Sequence, residues 1–280
     1  MKCSCVVLNY NDSDTVIEFI QRIRDYKNIE NIVIVDNMST DGSFERLSNL
    51  YSEESKINIL QTDENKGYGY GNNYGVSYVY KTFEDKYTLI SNPDVIFSEE
   101  MLNDLLDTID NNNVSVVSGV QFTKEDVEIA DKAWKVPNAF EYIFEGSKLA
   151  KLFKVSSLYK GEHFKSALSR VDCVPGAMLL VNTKDFLDIG GYDDRMFLYC
   201  EETTLGYKLM KAGLSTLLVN NAGYIHIGST STGKELATKK AQKRLIYDSR
   251  LFFLKNYLRV NRLTYSIAKW NYNRIVQKMK

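Results

Sequence analysis

Four short β-rich runs, "CSCVVLN" (3–9), "NIVIVDN" (31–37), "KINILQT" (56–62) and "YTLISN" (87–92), recur with helical spacing between them. The intervening helices are expected at Ser13–Tyr26, Ser43–Tyr51 and Gly71–Phe83, with another at Ser98–Asp110. This alternation predicts βαβ units, an α/β chain with a Rossmann-like, mostly parallel sheet flanked by helices. Three of the four runs end in polar residues: Asn9, Asp36-Asn37 and Asn92. Open α/β sheets bind ligands beyond the carboxyl ends of their strands, so these side chains are expected to converge on one crevice.

At 280 residues, 44% hydrophobic and 25% charged, the chain has enough apolar material for one large domain or two small ones. Its net charge of −1 gives no general bias toward nucleic acid. Residues 234 to 280 carry thirteen Lys/Arg against Glu235 and Asp248, a balance of +11 that leaves −12 elsewhere. This basic tail mixes its cations with Phe252, Phe253, Tyr257, Tyr265 and Trp270. Two readings stand: helices packed on their own domain, or a peripheral contact with an anionic membrane.

Cys3, Cys5, Cys173 and Cys200 match neither a zinc spacing nor a dense disulfide framework, so reduced, mostly buried thiols are expected. The N-terminus reaches Asn9 after too few apolar residues for a secretory signal, and no uninterrupted apolar stretch approaches the ~18 residues of a membrane span. The expected location is cytoplasmic, peripheral on the inner face of the membrane if the tail touches it.

Beyond about Gln121 the pattern loosens. Residues 121 to 170 hold scattered aromatics and the amphipathic run "NAFEYIFEGSKLAKLF", readable as a groove-lining insertion or as helices on the sheet. Strand signals return at "GAMLLVN" (176–182) and "LSTLLVN" (214–220), with helical spacing through Leu205, Leu209 and Ala212 before Gly213.

"NKGYGYGNNYG" (65–75) fails the dinucleotide fingerprint, because the positions five after Gly67 and Gly69 are Asn72 and Tyr74. It also lacks the Gly-Lys-Ser/Thr ending of a Walker A loop. What remains is a glycine loop entering a helix N-terminus, where backbone amides suit an anion. In "SNPDV" the proline pushes Asn92 toward extended geometry and points Asp94 out of the turn. Asp94 is then either the cap of the next helix or a carboxylate for a hard cation, which needs only one or two carboxylates plus phosphate oxygens. Asp36, at a strand end, is suited to accept from a nucleobase or ribose. Glu201 and Glu202 are either first-turn acids favoured by the helix dipole or a catalytic pair.

Taken together, "VVLNYN", "IVIVDNMSTDGS", "NKGYGYGNNYG", "SNPDV", "GAMLLV", "GGYDDRMFLYCEE" and "GYIHIGSTS" resemble, in order and spacing over about residues 3 to 231, the family 2 glycosyltransferases. The nearest branch is the rhamnosyltransferase-like enzymes of bacterial cell-surface polysaccharide synthesis. The resemblance implies a GT-A fold, a nucleotide-sugar donor such as dTDP-rhamnose, a divalent cation (Mg²⁺ or Mn²⁺), inversion at the anomeric carbon and a lipid-linked glycan acceptor. A UDP-hexose or UDP-N-acetylhexosamine donor, a binding module without turnover, and a homo-oligomer stay open. Carried over by position, nucleotide contacts fall on Leu8, Asn9, Asp36, Lys66, Gly67 and Asn92, metal ligands on Asp94 and His226, and the acidic pair on Glu201 and Glu202, the second as general base. Without the resemblance, His226 reads equally as a hydrogen-bonded structural histidine. Thr204 and Lys208 depart from the branch, which usually has an acid and an arginine there. The implied organisation is a GT-A domain over 1–231, with a nucleotide-sugar-binding half (1–120) and an acceptor-binding and catalytic half (121–231), followed by basic amphipathic helices over 232–280.

Overall fold

The computed structural model describes residues 1–144, 156–228 and 239–279. The boundary expected at 231/232, and the amphipathic run beyond Phe144, lie outside these residues.

The first half follows the alternation closely. Strands β1 (Cys3–Asn9), β2 (Ile29–Asp36), β3 (Ile57–Gln61) and β4 (Tyr87–Ser91) are joined through helices α1 (Ser13–Ile23), α2 (Ser43–Leu50) and α3 (Tyr68–Phe83). A two-residue strand β5 (Val95–Ile96) follows, and then α4 (Glu99–Asn112). The apolar runs of β1 and β2 are nearly continuous because both sheet faces are covered there: Val7, Ile32 and Ile34 sit in one buried cluster, Val6, Val33 and Val35 in the other.

Strand β6 (Val116–Phe122) was not expected, and β7 (Leu168–Val171), β8 (Met178–Asn182) and β9 (Thr216–His226) complete the sheet. The order is β3-β2-β1-β4-β8-β6-β9-β5, with β7 also paired to β9. The expectation of a mostly parallel sheet holds for β3-β2-β1-β4, but beyond β4 the sheet is mixed. The reason is β8, which runs antiparallel to both β4 and β6 and separates two parallel groups.

The glycines of "GYGYGNNYG" serve packing. A Cβ at Gly71 would come within 2.2 Å of Leu8 Cδ1, and one at Gly75 within 2.5 Å of Val6 Cγ1, so α3 lies closer to β1 than any larger residue would allow. Gly67 has φ +99, and a Cβ there would meet the Phe197 carbonyl oxygen at 1.9 Å. That carbonyl accepts the Tyr68 N–H at 3.1 Å, so one of the amides expected to await an anion is already engaged.

Short helices α5 (Ala139–Phe144) and α6 (Thr183–Asp188) precede α7 (Glu201–Ala212), which stops at Gly213. The tail forms α8 (Lys239–Asn256) and α9 (Arg262–Gln277). Their inner faces build a third core with Tyr142 and Ile143 of α5, through Phe253, Leu254, Ala268 and Tyr272. Full burial of a side chain such as Phe253 stabilises by about 1.5–3 kcal/mol. Tyr272 also donates to the Tyr142 carbonyl at 2.7 Å. The four cysteines are free, three of them buried. Among the described residues no helix is long and apolar enough to cross a membrane.

Candidate active site

The carboxyl edge of the parallel strands is built by register. Asn9 pairs with Asp36 across β1 and β2, and Asp36 with Gln61 across β2 and β3. In-register residues of parallel strands share a face, so the three side chains meet. Asp36 Oδ2 accepts from Asn9 Nδ2 at 2.7 Å, and Oδ1 accepts from Ser39 N at 2.9 Å and Gln61 Nε2 at 3.4 Å. Asp36 is fully buried, while Asn9 Oδ1 is buried with no hydrogen-bond partner. Gln61 had the same signal as its neighbours, a polar strand end, and sequence reasoning passed over it. Leu8 presents its side chain to Gly71 of α3. Lys66 pairs with Glu64 at 2.6 Å and lies 4.7 Å from the Tyr70 ring centroid.

Asp94 does not cap α4. Ser98 does, accepting the Met101 N–H at 3.2 Å. Instead β5 brings the turn against the end of β9, where Val95 pairs with His226. Asp94 Oδ2 accepts from Gly228 N at 3.1 Å, and its Oδ1 lies 3.2 Å from His226 Nε2. The other ring nitrogen, Nδ1, is 3.3 Å from Gln121 Nε2, and Gln121 Oε1 accepts from the Tyr224 hydroxyl. If Gln121 donates its amide proton to Nδ1, the ring's own proton sits on Nε2, the nitrogen that faces Asp94 Oδ1. For His226 to ligate a cation through Nε2, that proton must move to Nδ1 and the Gln121 amide must turn to accept it. Among the described residues no group of three or more His, Cys, Asp or Glu could cage a metal. Asp94 and His226 instead fit the mode in which few protein ligands share a hard cation with phosphate oxygens.

Glu201 and Glu202 open α7 after two non-glycine residues in left-handed conformation, Tyr199 (φ 71) and Cys200 (φ 70). Such backbone costs energy and persists only where the surroundings hold it. Here Ser249 of α8 donates to the Leu198 carbonyl at 2.8 Å, and Gln242 Nε2 to the Tyr199 hydroxyl at 2.8 Å. Tyr142 donates to Cys200 Sγ at 2.9 Å.

The two carboxylates differ. Glu201 is 4% exposed, and its Oε1 has no hydrogen-bond partner. Glu202 is half-buried, and its Oε1 accepts the Gly176 N–H at 3.2 Å. Burial, then the adjacent Glu202 charge, raises the Glu201 carboxyl above its usual range; burial likewise raises Glu202. Two such acids cannot both ionise cheaply. Thr204 and Lys208 turn inward to structural partners: Thr204 donates to the Glu201 carbonyl at 2.9 Å, and Lys208 to the Gly190 and Gly191 carbonyls at 3.1 and 2.8 Å.

One cavity of about 520 Å³ joins Asn92, Glu201, Glu202 and His226 with Tyr68, Gln121 and Gly176. Its lining also includes Ile129, Trp134, Tyr142 and Leu158, so described residues of the 121–170 segment line a groove. Leu8, Asn9, Asp36, Lys66, Gly67 and Asp94 lie off this lining. Arg250 of α8 also lines it, above the Tyr142 ring at 4.8 Å. In the sequence Arg250 was one cation among many in the tail, and nothing distinguished it.

The family profile described as Glycosyl transferase family 2 matches residues 4–168. The chain is 26% identical over 223 residues to the N-acetylglucosaminyl-diphospho-decaprenol L-rhamnosyltransferase of Mycobacterium tuberculosis, covering 75% of this chain and 70% of that one. It is 28% identical over 155 residues to rhamnosyltransferase WbbL of Escherichia coli, 53% of this chain and 56% of the relative. A mannosyltransferase of Pyrobaculum calidifontis solved with GDP-Man and Mn²⁺ superposes with a TM-score of 0.62 at 11% identity, over 100% of this chain and 76% of that one. The shared architecture is the GT-A fold.

Proposed function

The chain belongs to glycosyl transferase family 2, and from that membership we propose that it is a metal-dependent inverting enzyme that moves rhamnose from dTDP-rhamnose to a growing, lipid-linked cell-surface glycan. The observation that carries this reading is the Glu202 carboxylate, held by the Gly176 N–H in a cavity wall shared with Asn92 and His226. The donor follows from likeness to rhamnosyltransferases, and the lipid-linked acceptor from the name of the mycobacterial relative.

In this reading Glu202 takes the proton of the acceptor hydroxyl as that oxygen attacks the anomeric carbon. The bond from that carbon to the diphosphate oxygen breaks with its electron pair leaving on the phosphate, and the configuration inverts. Glu201, buried and without a donor on Oε1, keeps the proton of the acidic pair and leaves the charge on Glu202. Asp94 and His226 would hold Mg²⁺ or Mn²⁺, and the bound cation would offset the charge developing on the diphosphate. Asn9 and Asp36 receive the base, and Leu8, Lys66, Gly67 and Asn92 complete the nucleotide contacts. Residues 1–120 thus serve the donor and 121–231 the acceptor, with α8 bracing the loop before Glu201. The enzyme works at the cytoplasmic face of the membrane.

A thermal-shift series with dTDP-rhamnose, GDP-mannose and UDP-N-acetylglucosamine, each with and without Mn²⁺, tests the donor, because a ligand bound only by the native state raises apparent stability. The reading requires the largest Mn²⁺-dependent rise with dTDP-rhamnose. A rise confined to a UDP sugar would replace the donor.

A further inference from the structure

Helix α9 has two apolar faces. At about 100° per residue, Ala268, Tyr272 and Val276 fall on one side and Leu263, Ile267 and Trp270 on the other. The first set is buried against the body. The second is 72%, 41% and 62% exposed. Single exposed apolar side chains are ordinary; three at helical spacing with a tryptophan among them form a surface.

The charges that α9 itself carries are of one sign. Arg262, Lys269 and Arg274 lie on α9, which carries no acidic residue, and Arg259 and Lys278 flank it. All five are exposed. The Arg274 guanidinium sits over the Trp270 ring, 5.2 Å from its centroid, pairing the aromatic face with a cation. The other aromatics of the tail are turned away: Phe253 is fully buried, and Tyr257 donates to Asp193 at 2.6 Å.

We propose that Leu263, Ile267 and Trp270, with Arg274 among them and Arg262 and Lys269 along one flank, form a docking face for an anionic lipid bilayer, with α9 lying in the plane of the interface. Apolar side chains at that depth leave water, tryptophan favours the headgroup level, and the cations meet lipid phosphates. A second copy of the chain fits this face less well, because pairing two such faces sets cation against cation. A nucleic acid would satisfy the cations but offer Leu263 and Ile267 no apolar partner.

The test uses the full chain and vesicles of phosphatidylcholine with increasing phosphatidylglycerol, with no acceptor or donor present. Its outcome is therefore independent of the glycosyl-transfer reading. Co-sedimentation is expected to rise with anionic lipid and fall with salt, and Trp270 emission to shift to the blue; Trp270→Phe separates that signal from Trp134. The variant L263S/I267S/W270S changes only exposed side chains and is expected to lose roughly tenfold or more in vesicle affinity, as is the charge reversal K269E/R274E, which tests the face even should the triple variant misfold. Wild-type protein that stays in the supernatant at every composition would overturn the proposal. So would variants that pellet like wild type, or a dimer in light scattering that the triple variant dissociates.

Discussion

The Gly176 N–H donates to Glu202 Oε1 at 3.2 Å, and a Cβ at position 176 would stand 2.8 Å from that same oxygen. The glycine is required by the carboxylate it holds. Replacing it with alanine forces Glu202 out of place with little else disturbed, since the nearest atoms to the added Cβ all belong to Glu202. A misplacement on this scale in a catalytic group costs about 10²-fold in rate. Gly176→Ala is therefore expected to lower kcat by about that factor with an unchanged melting temperature. A kcat within twofold of wild type would show that this position of Glu202 is not the working one.

Asp94 is held by Gly228 N and His226 Nε2, so its carboxylate has a preformed orientation. Asp94→Ala is expected to fold and to lose the Mn²⁺ or Mg²⁺ dependence of nucleoside diphosphate binding, read by titration calorimetry. Binding that stays equally metal-dependent would remove Asp94 from the metal site.

Burial, followed by the Glu202 charge, raises the Glu201 carboxyl in the folded state above its unfolded value near 4.3. A raised acid contributes stability that is fully present below the unfolded value and is lost as pH rises through the folded value. Glu201→Gln removes that titration. Its melting temperature relative to wild type is therefore expected to increase steadily as pH is raised from about 4.5 toward neutrality and beyond. A gap that is flat with pH would mean that Glu201 does not hold its proton in the native protein.

Asp193 ties the tail to the body. Burial alone would raise its carboxyl, but hydrogen bonds from Arg195 and Tyr257 outweigh it and hold the group at about 2. The stability this contributes is present above the unfolded value near 3.9 and lost as pH falls toward 2. Tyr257→Phe removes one donor to a charged group and is expected to cost about 1.5–3 kcal/mol at neutral pH, less as pH falls below about 4. Denaturant melts at both pH values check this, and an equal loss at each would place the effect in packing rather than in the charge.

Much of this protein was legible because buried strands need largely apolar runs and three of the first four announce a polar residue at the sheet edge; the fourth, ending at Gln61, was passed over. β6 was missed because Ser118 and Gly119 interrupt its run. Ser118 donates to the Met178 carbonyl at 2.8 Å, and Gly119 makes room for Met101 Cε, which a Cβ would approach within 2.4 Å. Both are answers to tertiary neighbours that local spacing does not reveal. The glycine loop misled for the same reason: its glycines admit Leu8, Val6 and the Phe197 carbonyl at close range. In the tail, composition announced cations and aromatics, but only packing sorts Phe253 to the core and Trp270 to the surface.

The direct test of the account is the rate of rhamnosyl transfer from dTDP-rhamnose to an N-acetylglucosaminyl-diphospho-lipid, with Mn²⁺, by wild type, Glu202→Gln and Glu201→Gln, with the product's anomeric configuration read by NMR. The amide of Glu202→Gln keeps the shape and the Gly176 contact but cannot take a proton. The account predicts an inverted product and a loss of about 10²–10⁴-fold for Glu202→Gln with donor binding retained, and a smaller loss for Glu201→Gln. Near-wild-type turnover by Glu202→Gln, or a retained configuration in the product, would contradict it.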